Sequence, residues 1–274
     1  MRTLVLVVEY DGTDYAGFGV QPGQRTIQGE MERALADTLG HQPRVTPGGR
    51  TDTGVHARGQ VVSFRTTSRL GCPDLVRALN ARLPEDIQVR SAAEAPSGFD
   101  ARRSARSRWY RYVVWNHPQR NLWWRRYSYH VRSALDLAAM QLASRALMGE
   151  RDFAALGTHL SENGEGRSTV RTVYRSEWRR IGPFLCFDIE ANGFLRHMVR
   201  TAVGTMLEIG RGRWPPEAMD RILERRDRRL AGPTAPPSGL TLMAVRYPEG
   251  AVELAVEAVE RAWDTPPFEP APEV

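Results

Sequence analysis

The residues best suited to chemistry lie in one glycine-bounded loop, Pro47-Gly48-Gly49-Arg50-Thr51-Asp52-Thr53-Gly54-Val55-His56. Glycine permits backbone angles and close approaches that other residues resist, so this loop can present a single side chain at the floor of a cleft. That side chain is Asp52, with Arg50 two residues before it and His56 four after it. A carboxylate so placed can stabilise developing positive charge or act as a nucleophile. An aspartate in a turn is more often bonded to its own backbone, and the loop alone leaves both roles open.

A second group lies in Asn192-Gly193-Phe194-Leu195-Arg196-His197-Met198-Val199-Arg200. A helix predicted over 194–207 puts Arg196 and Arg200 one turn apart on one face, beside an apolar stripe of Leu195, Val199 and Val203. The pattern by itself requires only an amphipathic helix. Tyr110 and Tyr112 fall in the predicted strand Tyr110–Trp115, where strand aromatics usually pack in a core. Other chemistries find less support. The histidines at 41, 56, 117, 130, 159 and 197 include no pair three or four apart, so a metal is not expected. Residues 163–169 have arginine where a phosphate loop needs lysine and lack its first glycine, and are read as a loop. Cys72, followed by a helix-opening Pro73, is read as a buried inert thiol, and His56 as a loop-orienting residue.

Charge narrows the partners. The chain has a formal net charge of +6, and its 38 basic residues are all arginine. Residues 249–274 hold seven acids against Arg261, a net of −6, so the first 248 residues carry +12. Such a body attracts polyanions in a salt-sensitive manner. Arginine adds a planar fork for phosphate and a face for stacking on bases, although a GC-rich genome explains the missing lysines equally well. Arg102, Arg103, Arg106, Arg108, Arg125, Arg126, Arg225, Arg226, Arg228 and Arg229 are the available phosphate contacts, more than half of them expected to be ordinary surface. Two cysteines in no framework spacing, a first strand broken by Glu9 and Asp11, and no apolar run of roughly 18 residues lead to the expectation of a cytoplasmic protein with no membrane attachment.

The elements that must position these residues alternate between strand and helix. Leu4–Tyr10 is apolar and β-branched, and Thr26–Leu39 has helical spacing with Glu30 and Glu32 in its first turns. Gln60–Phe64 and Ile87–Val89 read as strands and Pro73–Leu79 as a helix. After a crossover through residues 95–108 the pattern restarts with Tyr110–Trp115, a helix over Ser133–Leu147, an alternating strand at Leu185–Ile189 and a late strand at Thr241–Tyr247. The expected fold is α/β (α+β), two similar domains, each a mainly antiparallel sheet with helices on one face. The boundaries are expected at 1–104 and 105–248, followed by an acidic, proline-rich tail over 249–274.

Gly49–Ala57 resembles the signature of the TruA-type tRNA pseudouridine synthases. Glu9–Phe18, Thr26–Glu30, Asp152-Phe153, Asn192–Arg200 and Gly239–Val245 match the same family in order and spacing, over about 245 residues. The departures are Thr53, where alanine is common, and Trp109. The resemblance implies isomerisation of uridine to pseudouridine at positions 38–40 of transfer RNA, in a catalytic cleft between two domains, by a homodimer needing neither metal nor cofactor. It further implies Asp52 as the catalytic carboxylate, Tyr110 as the aromatic that holds and deprotonates the base, and Arg200 as the partner of Asp52. Leu240 would pack beside the uracil, and Arg50, Arg108 and Arg196 would contact substrate. Cleaving the C1′–N1 bond puts positive charge on ribose, for which a carboxylate is the appropriate partner, either bonded at C1′ or removing a sugar proton to give a glycal. A noncatalytic RNA-binding protein of the same fold, or an RNA N-glycosidase that admits water, would use the same surface.

Overall fold

A computed structural model of the protein describes residues 1–157 and 168–252. The acidic tail from residue 253 and most of the 163–169 loop therefore lie outside the described residues. Along the first part of the chain run β1 (Arg2–Tyr10), α1 (Ile27–Leu39), β2 (Thr46–Pro47), β3 (His56–Thr66), α2 (Cys72–Asn80) and β4 (Ile87–Ala95). The second part holds β5 (Ser107–Asn116), β6 (Tyr129–Val131), α3 (Leu137–Arg145), β7 (Gly149–Asp152), β8 (Val170–Ile181) and β9 (Phe184–Ala191). Then come α4 (Met198–Gly210), α5 (Ala218–Arg225) and β10 (Leu240–Arg246). The chain forms two compact units: 1–51 with 57–106 and the segment from 242, and 52–56 with 107–241. Among the described residues no helix is long and apolar enough to cross a membrane.

In the first unit the strands lie in the order β4-β1-β3-β10, with β2 on β3. β1 is central because Leu4 to Val8 are apolar on both faces; all five are fully buried. It runs antiparallel to both neighbours, with Leu6 opposite Val62 and Ala92. Helix α1 starts where the Thr26 hydroxyl accepts the Gly29 N–H at 3.2 Å, and buries Ile27, Met31, Ala34 and Leu35. Buried Gln60 on β3 reaches back to the glycine loop: its Nε2 donates to the Gly49 carbonyl at 2.6 Å and its Oε1 accepts the Gly49 N–H at 3.3 Å. Thr51 is fastened by its hydroxyl to the Tyr10 hydroxyl at 2.8 Å and by its carbonyl to the Phe18 N–H at 3.1 Å. Burial pushes the Tyr10 phenol up to about 12, so it stays a neutral hydrogen-bonding group.

In the second unit β5, β9, β8 and β7 are neighbours in that order and antiparallel, while β6 pairs parallel with β5. One set of alternating residues, Tyr112, Phe187 and Trp178, is apolar and buried. The Trp178 indole N–H reaches Met206 Sδ on α4 at 3.2 Å, and Ser176 donates to the Ser144 carbonyl on α3 at 2.8 Å. Helix α4 is buried almost all round, as a core helix must be if it is apolar on every face. The other set of residues on this sheet holds a charge cluster. Fully buried Asp188 accepts from Arg111 at 2.9 and 3.1 Å, from the Trp109 indole at 2.7 Å and from Arg179 at 2.9 Å. Burial alone would raise its pKa, but the Arg111 and Arg179 guanidiniums outweigh that and hold it below the usual carboxylate range.

Several element limits differ from those expected. α4 begins at Met198 rather than Phe194, because His197 takes a left-handed conformation (φ 65°) and the Met198 N–H bonds the Leu195 carbonyl at 3.2 Å, turning the chain just before the helix. Arg196 and Arg200 consequently do not share a helical face. α3 is shorter than expected, since Asp136 caps it by accepting from the Ala139 N–H at 2.9 Å. β8 and α5 were not anticipated from the pattern. Cys72 is half-buried rather than buried, and both cysteines are free thiols. Removing one partner of a buried ion pair strands the other charge, so Asp188→Ala is expected to lower stability by about 3–5 kcal/mol in urea denaturation at neutral pH.

Candidate active site

The segment Asp52–His56 belongs to the second unit, and the charges around Asp52 come from the same unit. The Asp52 carbonyl accepts the Val55 N–H at 3.1 Å, closing a four-residue turn that presents the Asp52 side chain. Gly54 supplies the turn's positive φ of 74°, and a Cβ there would lie 3.0 Å from Pro237. Only glycine meets both the angle and the close approach. The strand that follows begins with His56, 3% exposed, whose Nε2 is 2.8 Å from the Arg126 carbonyl and whose ring packs on Tyr127 at 5.1 Å.

The carboxylate of Asp52 keeps about a quarter of its accessible surface and faces three basic groups. Arg200 Nη1 donates to Oδ2 at 3.3 Å, His197 Nε2 lies 3.5 Å from Oδ2, and Arg196 Nε lies 3.9 Å from Oδ1. Arg200 is itself anchored: its Nε donates to the Ala235 carbonyl at 2.8 Å, and the Ala235 N–H returns a bond to the Arg200 carbonyl at 3.0 Å. Segment 233–235 lies close enough to α4 that a Cβ at Gly204 would fall 1.7 Å from the Pro233 carbonyl oxygen. Arg228 ties the same segment, donating to Gly232 O and Thr234 Oγ1 at 3.1 Å each. The guanidinium facing Asp52 thus has little freedom to swing away.

Burial is the largest influence on His197 and lowers its pKa; Asp52 opposes this, while Arg200, Arg196 and Arg228 reinforce it. The imidazole is therefore kept neutral beside the carboxylate. Its part in the site was not anticipated, because a left-handed non-glycine residue before a helix leaves no periodic signal. The only pointer was its place within the Asn192–Arg200 segment.

A family model for tRNA pseudouridine synthase matches residues 6–102 and 143–248. The chain belongs to the tRNA pseudouridine synthase family. The tRNA pseudouridine synthase A of Pelobacter propionicus is 44% identical over 247 residues, covering 90% of this chain and 100% of that protein. That of Geobacter sulfurreducens is 46% identical with the same two coverages. The Moorella thermoacetica protein of the same name is 44% identical over 249 residues, again 90% and 100%.

The remaining residues expected to serve a synthase are distributed as follows. Tyr110 on β5 is 7% exposed and meets Phe194 edge to face at 5.2 Å. Leu240, 5% exposed, opens β10 after the short turn Pro237–Gly239. Arg108 is 9% exposed and donates from Nη1 to the Asn192 carbonyl at 2.9 Å. Arg50 is exposed, in the first unit. Among the described residues no three His, Cys, Asp or Glu side chains gather as a metal-binding group.

A histidine with a lowered folded pKa binds fewer protons than the unfolded chain as pH falls. Its neutral form is fully compatible with folding above about pH 6.5, and stability is lost as pH falls below that value. Titration of His197 by NMR is expected to give a midpoint below that of a free imidazole. His197→Asn, which tolerates the same backbone, should show a smaller loss of thermal stability on acidification than the unaltered protein. A raised midpoint would contradict this electrostatic account.

Proposed function

We propose that this synthase isomerises uridine to pseudouridine at positions 38–40 of transfer RNA, with Asp52 as the catalytic carboxylate. The observation that carries the proposal is the Asp52 carboxylate on a glycine turn, paired at 3.3 Å with an anchored Arg200. Family membership and the names of the relatives support the substrate and reaction. The fold-level part of the proposal is a catalytic cleft flanked by two similar domains.

In the proposed reaction the C1′–N1 bond breaks, the electron pair leaves with uracil, and C1′ becomes electron-poor. Asp52 meets that deficiency at the sugar, by bonding to C1′ or by taking a sugar proton. Arg200 keeps the carboxylate aimed, since a charge-assisted bond between fixed partners restricts both. The uracil turns, C5 joins C1′, and the proton on C5 departs. Tyr110 is proposed to hold the base by its face and to relay that proton, with Leu240 against the base edge. Arg50, Arg196 and Arg108 are proposed as substrate contacts, Arg108 with one donor already engaged by Asn192. The target nucleotide must leave its stack to reach a carboxylate on the protein, a cost met by phosphate and stacking contacts. The proposal includes a cytoplasmic homodimer that shares each transfer RNA and uses no metal or small-molecule cofactor.

Transfer RNA made with 5-tritiated uridine tests this directly. The purified protein is expected to release tritium in the presence of EDTA and without nucleotide. Asp52→Ala should abolish release while leaving RNA affinity little changed. Turnover retained in that variant would defeat the role of Asp52, and free uracil among the products would establish a glycosidase instead.

A further inference from the structure

Residues 117–131 of the second unit contain Arg120, Arg125 and Arg126 and no acidic residue. They also hold the most exposed large aromatic among the described residues: Trp123 is 88% exposed, beside Leu122 at 70%. An indole left in water without cause is unfavourable, since its large apolar face is usually buried or in contact with a partner. This one is held out by a well-fastened turn. The Asn121 Oδ1 accepts the N–H groups of Trp123 at 3.0 Å and Trp124 at 3.2 Å, and Arg125 Nη1 donates to the Leu122 carbonyl at 2.8 Å. Trp124 points the other way and packs on Phe184, with ring centroids 4.8 Å apart. The sequence Trp123-Trp124 thus puts one indole into the unit as an anchor and leaves its neighbour presented.

The same segment is fastened to the strand that follows the Asp52 turn, through the Arg126 carbonyl and the Tyr127 ring on His56. We propose that segment 120–126 is a contact for the substrate transfer RNA, in which Trp123 stacks on an unpaired base and the neighbouring arginines take phosphates. This inference rests on the proposed function for its ligand. A second protein chain is the other occupant an exposed tryptophan could have. Three arginines with no acid between His117 and Val131 favour a polyanion, and one exposed indole beside guanidiniums matches the composition of a single-strand stacking platform.

The test uses the full chain and an unmodified transfer RNA transcript. Trp123→Ala is expected to weaken binding about tenfold, the size of one base–aromatic stack, and to raise KM for tritium release by a similar factor while turnover at saturating RNA falls much less. Trp123→Phe should restore most of the affinity, because a benzene ring also offers a stacking face. Sedimentation equilibrium of the variant should match the unaltered protein. Unchanged RNA affinity in Trp123→Ala would overturn the inference, and so would loss of self-association, which would make this surface a contact between subunits. If the unaltered protein bound RNA but released no tritium, the proposed reaction would fail while the binding comparison still decided the role of Trp123.

Discussion

The contact between Asp52 and Arg200 is the constraint on which the rest of the site depends. A carboxylate at the tip of a turn has several rotamers, and only some of them would face a ribose bound as proposed. The guanidinium selects among them, and it can do so because its own Nε is committed to the Ala235 carbonyl. That carbonyl is fixed in turn by the approach of segment 233–235 to α4, allowed by Gly204. The glycine turn, the helix and the segment that follows α5 are therefore one device for aiming a single oxygen pair.

Around that device, two arginines and a histidine gather about one carboxylate. Arg196 and Arg200 face the carboxylate, and the lowered pKa of His197 favours a neutral imidazole beside it rather than a third cation. The second buried charge cluster, around Asp188, is a different matter. It joins β5, β8 and β9 through two strand arginines and the Trp109 indole, so its task is to fix the sheet that carries Tyr110, while Trp178, from the other set of sheet residues, reaches Met206 on α4.

Much of this was legible in the sequence where apolar residues alone decide structure. β1, α1 and β9 follow their periodicity: Leu4–Val8 are apolar throughout, Ile27, Met31, Ala34 and Leu35 recur at helical spacing, and Leu185, Phe187 and Ile189 alternate with Cys186 and Asp188, although those polar positions are buried too. β8 was not legible because Arg175 and Arg179, which look like surface residues, turn toward buried Asp188 and break the alternation of a half-buried strand. The start of α4 was misplaced for a related reason. Phe194 and Leu195 fit the helical stripe, but His197 takes a left-handed angle that pattern reading assigns to glycine. Arg196 nevertheless arrives near Asp52, by a turn rather than by helical spacing. The contact of Asp52 with Arg200 was visible through motif resemblance, while the anchoring of Arg200 by a backbone carbonyl 35 residues away was not, because backbone partners have no sequence signature.

What the account requires most is that the oxygen pair aimed by Arg200 meets the ribose of an everted uridine. A crystal structure of the protein with transfer RNA containing 5-fluorouridine, whose C5 substituent cannot leave as a proton, would measure that separation. The expected result is an Asp52 oxygen bonded to C1′ or within about 3.5 Å of the reacting sugar carbon, with Arg200 still on the carboxylate. A complex in which the nucleotide is everted into the protein but Asp52 points to solvent, away from the sugar, would contradict it.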